Sequence, residues 1–227
     1  MERKYRLFPL FLGVEGVLYG FFLNLDLTGR FSESVPVKYL AIALCLAMAL
    51  TALRRPAGRL MAAALALTLL SDTFLLLLDT DYQAGVAFFC GVQALYLVRI
   101  RRAGGWPAPL CLVLRCGLAA AGLIGAGALG LLDPLTALAL VYFSQLLCNG
   151  LESLFLRPRG VGVRLFSAGL LLFLGCDLCV GLHNLPLPIP TALTSFAAVG
   201  MWLFYLPSQV LLTLSGRWDF PPKGGTS

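Results

Sequence analysis

Residues 60–78 read LMAAALALTLLSDTFLLLL. At ~1.5 Å per residue, an apolar run of this length reaches across the hydrocarbon of a bilayer and reads as a transmembrane helix. Its acid, Asp72, has no basic residue near it in sequence. Seven further blocks of similar character flank this one, at 7–23, 37–53, 84–100, 109–130, 134–155, 163–182 and 191–214. The first two are short, and a count of seven spans would lose the first as a signal anchor or interfacial segment. Glu15 in its middle, with no small-residue cleavage site after it, argues against a cleaved signal peptide.

Composition agrees. Apolar residues make up 59% of the 227, charged residues 12%, and mean hydropathy is +0.87. A soluble domain carries about a quarter charged residues, so lipid is the solvent this surface suits.

Charge sets the expected direction, because short loops rich in Lys and Arg stay cytoplasmic. The N-terminal segment holds Arg3, Lys4 and Arg6. The loops after blocks two, four and six hold Arg54, Arg55 and Arg59, then Arg99, Arg101 and Arg102, then Arg157, Arg159 and Arg164. The tail adds Arg217 and Lys223, so fourteen of the seventeen basic residues fall on one side. The other loops carry Arg30 and Lys38 with Asp26, Glu33, Asp79, Asp81 and Asp133. Arg115, inside the fifth block, is expected to snorkel to the cytoplasmic face. The expectation is a multi-pass protein of a bacterial plasma membrane with both termini cytoplasmic. The net +6 then marks loops, with no nucleic-acid partner implied.

The loops are short, so one transmembrane domain is expected over residues 1–216, followed by a disordered tail at 217–227. In the fifth helix, Gly122, Ala126 and Gly130 recur every four residues, a surface for close helix packing. Helices 1–4 and 5–8 start on the same side, so any repeat of the two four-helix halves is parallel. The third helix of each half carries an aspartate, Asp72 and Asp177. The fourth carries a Gln with a Tyr one turn away, Gln93 with Tyr96 and Tyr205 with Gln209.

An ionisable group in hydrocarbon costs at least ~2.5–3.5 kcal/mol and marks a functional candidate by default. The acids in the spans are Glu15, Asp72, Glu152 and Asp177, supported by Gln93, Tyr96, Tyr142, Ser144, Gln145, Asn149, Tyr205, Ser208 and Gln209. Asp72 and Asp177 lie at matching depth and are expected within direct or one-water contact. Such a pair gives one neutral acid and one carboxylate in one site; the alternative is a hydrogen-bonded clamp between helices. Glu15, between glycines in LGVEGVLYG, is either a third member of the site or a packing partner. Glu152 is expected to pair with Arg157 or Arg159 at the interface. Cys176 and Cys179 have C-x-x-C spacing but apolar flanks, and read as small helix side chains rather than as a zinc or redox pair. His183, the single histidine, sits among loop prolines in HNLPLPIP and reads as a turn residue. A lone histidine among loop prolines is not placed to build a Ser-His-Asp set or a metal cluster, so no metal and no cofactor are expected.

Four blocks in order, LTLLSDTFLLLL, GVAFFCGVQALYLVRI, FSAGLLLFLGCDLCVGL and MWLFYLPSQVLLTL, resemble the YhhN-like lysoplasmalogenase family of membrane proteins. Gly85–Phe89 and Gly169–Phe173 fit its G-x-x-x-F spacings, and Tyr205 with Gln209 its Tyr-x-x-x-Gln helix. The family has His in an H-x-x-Y pattern where this chain has Gln93, and Gln carries no proton at pH 7. The resemblance implies hydrolysis of a lysoplasmalogen vinyl ether to a fatty aldehyde and a glycerophospho-alcohol. Its partners would be a lysophospholipid substrate and membrane lipid. Asp72 and Asp177 would be catalytic, with Glu15, Gln93, Tyr96, Tyr205 and Gln209 supporting. The competing class is a small transporter, or a lipid-binding protein without turnover, that uses the same aspartates.

Overall fold

Proline and aspartate mark where the helices begin. In the computed structural model, which describes residues 2–157, 160–185, 188 and 190–219, with side chains from residue 7 onward, Pro56 and Pro134 open helices where a missing N–H costs nothing. Asp133 caps the second of these, accepting from the Leu135 and Thr136 amides at 2.8 and 3.1 Å. The Thr136 hydroxyl, then its amide, hold the Asp133 carboxyl below its usual range. The chain order is α1 (Glu2–Leu27), α2 (Phe31–Leu50), α3 (Pro56–Asp72), α4 (Tyr82–Arg102), α5 (Ala108–Ala128), α6 (Pro134–Leu154), α7 (Val161–Asn184) and α8 (Thr191–Ser215). All eight are long and apolar enough to cross a membrane. The protein is an all-α membrane protein of eight transmembrane helices.

Five helices close a ring. α3 packs on α4, α4 on α6, α6 on α7, α7 on α8, and α8 back on α3. α2 packs outside α3 and α8, α1 on α2 and α8, and α5 on α6 alone. The two halves therefore pack differently: α1 reaches α8, whereas α5 makes no matching contact with α4.

Small residues set the closest approaches. A Cβ at Gly169 would stand 2.8 Å from Leu212 Cγ and 3.1 Å from the Ser208 carbonyl, so α7 and α8 meet there backbone to backbone. A Cβ at Gly85 would meet Leu75 at 2.5 Å. These glycines bring Phe89 and Phe173, four residues on, into edge contact at 5.7 Å. The small-residue ladder of α5 does less than expected. Gly122 faces Leu140 of α6, but Gly130 takes φ +69° and lies beyond the helix, and α5 is largely exposed.

Four details depart from the sequence reading. α3 does not run unbroken: a π-helical turn, Thr73–Leu77, follows directly after Asp72. α2 begins six residues earlier than its apolar block, because Phe31–Pro36 form helix despite their polarity. Asp26, on the last turn of α1, and Lys38 of α2 are loop residues no longer but form a buried ion pair at 2.8 Å, with the ammonium 4.6 Å from the Trp202 ring. Arg99 is also no loop residue. It is buried and donates to Ser215 Oγ at 2.7 Å and to the Ser215 carbonyl at 2.6 Å, where the end of α8 has spare acceptors. The tail is tied down at its start, since Arg99 also reaches the Trp218 carbonyl and Asp219 accepts from the Ala57 amide at 2.9 Å. Residues 220–227 lie outside the described residues.

Candidate functional site

Asp72 ends the regular part of α3 and is 5% exposed. Tyr205 of α8 donates its hydroxyl to both carboxyl oxygens, at 3.0 and 2.9 Å. α8 can present Tyr205 there because α7 and α8 pack so closely. Pro207, two residues on, has no N–H to offer the Leu203 carbonyl, and Tyr19 of α1 donates to that carbonyl at 2.8 Å instead. Tyr205 is wedged between Phe173 and Trp202, at centroid distances of 5.6 and 5.1 Å.

Asp177 stands on α7, which makes no backbone contact with α3. Its environment is supplied by α6: Tyr142 lies within electrostatic reach of its carboxyl. Neither the Tyr142 hydroxyl nor Asp177 Oδ2 closes a hydrogen bond of normal geometry with another described residue. Phe89 joins Tyr142 at 5.6 Å and Phe173 at 5.7 Å, so an aromatic wall runs from the Asp177 side to Tyr205 and Asp72. Cys176 feels both carboxylates. The two acids thus belong to one layer of the ring, each attended by its own tyrosine.

A second layer lies about one turn along α4 from Phe89. Gln93 is 1% exposed. Its Oε1 accepts from Asn149 Nδ2 at 2.9 Å, and its carbonyl accepts from the same nitrogen at 3.0 Å. Asn149 Oδ1 accepts from Arg115 at 2.8 Å, and the same guanidinium reaches Glu152 at 2.9 Å and Gln145 Oε1 at 3.0 Å. Two sequence expectations are corrected here. Arg115 does not snorkel outward but turns into the α5–α6 interface, because three acceptors on α6 meet its donors. Glu152 is fully buried, and its nearest partners are Arg115 and the Trp106 amide at 2.6 Å. Arg159 lies outside the described residues.

The remaining candidates divide. Tyr96 packs edge-on against Phe166 at 5.7 Å and lies within electrostatic reach of Tyr142, while its hydroxyl has no partner among the described residues. Gln209 donates to Ser208 Oγ at 3.3 Å and leaves Oε1 unpaired. Glu15 is held apart: it accepts from the Cys45 thiol at 3.4 Å, on a helix that packs on α2 and α8 and touches neither α3 nor α7. Buried polar atoms without partners are few in folded proteins. Here Gln93 Nε2, Tyr96 OH, Tyr142 OH, Asp177 Oδ2 and Gln209 Oε1 occur on the ring helices. Two surface grooves, one between α6 and α7 and one between α1 and α2, include none of these residues. Chemically the layers offer a carboxyl that accepts from a phenol on both oxygens, a second carboxyl beside a phenol with Oδ2 unpaired, and amide and phenol groups able to hold oxygens of a ligand.

A model of the YhhN family matches residues 34–216, most of the chain and all of the ring helices. No curated protein and no solved structure matches.

Proposed function

The chain belongs to the YhhN family, and on that premise we propose that it is a membrane-embedded lysoplasmalogenase-type hydrolase. It cleaves the vinyl ether of a lysoplasmalogen to a fatty aldehyde and a glycerophospho-alcohol. The observation that carries this reading is the unequal treatment of two carboxyls in one aromatic-walled layer: Asp72 is buried and has a phenol donor on both oxygens, while Asp177 is half-buried with its enclosed Oδ2 unpaired.

Vinyl-ether hydrolysis needs that inequality. An acid protonates the carbon β to the ether oxygen, leaving an oxocarbenium ion at the α carbon. Water adds there as a carboxylate takes its proton, and the resulting hemiacetal falls apart to aldehyde and alcohol. A carboxylate is stable in a dry site when donors meet it. Tyr205 supplies one to Asp72, which suits Asp72 to stabilise the cation and accept the proton of water. Asp177 is then the proton donor. The division of labour is that of the two carboxyls of a glycosidase.

Tyr205→Phe keeps the ring between Phe173 and Trp202 and removes the donor. Aldehyde release is expected to fall about 10- to 100-fold, the scale of one charge-assisted hydrogen bond. Unchanged release would remove Asp72 from the carboxylate's role.

The membrane direction is also proposed, from the distribution of basic loops: both termini face the cytoplasm of a bacterial plasma membrane. A reporter fused after Ser227 should read cytoplasmic and one inserted in the 79–81 turn should read outside. The reverse pattern would invert the bundle.

A further inference from the structure

We infer that Arg115, acting through Asn149, fixes the Gln93 amide so that its NH2 is a donor for an oxygen of the bound lipid's glycerol unit. The class of ligand rests on the proposed function; the orientation does not. It follows from donor and acceptor identities. A guanidinium only donates, so the Asn149 atom 2.8 Å from Arg115 is Oδ1, and its Nδ2 faces Gln93. That nitrogen donates to the Gln93 carbonyl at 3.0 Å, an atom that only accepts, which confirms the assignment. The Gln93 atom 2.9 Å from the same Nδ2 is therefore Oε1. Nε2, with both hydrogens, is left over in a side chain 1% exposed, and no described residue accepts from it.

Such a donor is unfavourable if it stays unpaired. Arg115 is itself committed to Glu152, Asn149 and Gln145, so the amide is held by a charged anchor and does not flip at random. The α4 turn toward Asp177 is occupied by Phe89, which adjoins Tyr142. A donor one turn from the carboxyl layer suits the oxygens next to the reacting double bond: the ether oxygen or the neighbouring free hydroxyl. Arg115 and Asn149 act as positioning residues and Gln93 as the group that touches the ligand. An imidazole at position 93 could do the same, accepting from Asn149 on one nitrogen and presenting N–H on the other.

The test is equilibrium binding of a saturated 1-O-alkyl lysophospholipid, which has no double bond to hydrolyse, to the purified full chain in detergent. Gln93→Met removes the donor, while Asn149 Nδ2 keeps its bond to the residue-93 carbonyl, so the fold is retained. Asn149→Asp keeps the acceptor for Arg115 but faces Gln93 with a second acceptor, which turns the amide over. Both variants are expected to bind about tenfold more weakly, the loss of one hydrogen bond. Gln93→His is expected to restore affinity to within about threefold of wild type, since the donor returns. A probe lacking the glycerol hydroxyl assigns the contact: a tenfold effect of Gln93→Met on this probe too means the ether oxygen, and an effect that vanishes means the hydroxyl. Equal binding by wild type and Gln93→Met, or no binding by wild type, overturns the inference. Because this readout needs no turnover, a wild type that binds but releases no aldehyde would defeat the proposed hydrolysis and leave the Gln93 assignment standing.

Discussion

Asp72→Asn is expected to reduce aldehyde release from a lysoplasmalogen by about 10³-fold, within the range of a general acid–base group. Asparagine keeps the shape of the side chain and one oxygen for Tyr205, which donates to Asp72 at 2.9–3.0 Å. It can neither carry the negative charge opposite an oxocarbenium ion nor take a proton from water. The purified variant should remain folded, with an unfolding temperature near that of wild type, because no charge is left unpaired. Asp177→Asn should act in the same direction by about 10²-fold, since an amide cannot deliver a proton to carbon. Release by Asp72→Asn above a tenth of wild type would exclude Asp72 from the chemistry. A variant that loses both activity and fold would point instead to a clamp between α3 and α8.

The largest effect on stability is expected from Arg115→Met. Glu152 is fully buried, and its strongest partner is the guanidinium 2.9 Å away. Without it the carboxylate retains the Trp106 amide, the Cys111 thiol at 3.8 Å and a distant Arg101 at 4.0 Å. Breaking one side of a buried ion pair costs about 3–5 kcal/mol, whereas replacing both sides by apolar groups is often neutral. Thermal unfolding in detergent should drop by about 10 °C for Arg115→Met. Adding Glu152→Met should recover most of the loss. An unchanged midpoint for the single variant would mean that Arg115 is solvated rather than paired.

The eight spans are readable in the sequence because bilayer thickness demands long apolar runs, and each helix falls on its block to within a few residues except where polar residues extend it, as at Phe31–Pro36. Azimuth and neighbourhood are not. Nearness in sequence pairs Glu152 with Arg157 or Arg159, but the packing of α5 on α6 puts Arg115 one helix away in front of it. Arg99 and Lys38 counted as loop charges because the sequence shows no partner, yet Ser215 and Asp26 lie across helix interfaces. The expected direct or one-water contact of Asp72 and Asp177 spans α3 and α7, whose backbones do not touch. α8 packs on both, so Tyr205, expected only as a support, becomes the contact that distinguishes the two acids. The π-turn after Asp72 had no signature in LTLLSDTFLLLL, because leucine and threonine runs fit an unbroken helix as well.

The central claim is that a carboxyl of this layer protonates a carbon of the substrate. It is tested most directly by supplying purified wild-type protein with a lysoplasmalogen in heavy water, trapping the aldehyde by reduction, and weighing the alcohol. The account predicts product carrying one deuterium on the carbon next to the former aldehyde carbon, at a rate that Asp72→Asn abolishes. Absence of aldehyde, together with proton-linked uptake into vesicles that depends on Asp72, would contradict it and make the protein a carrier.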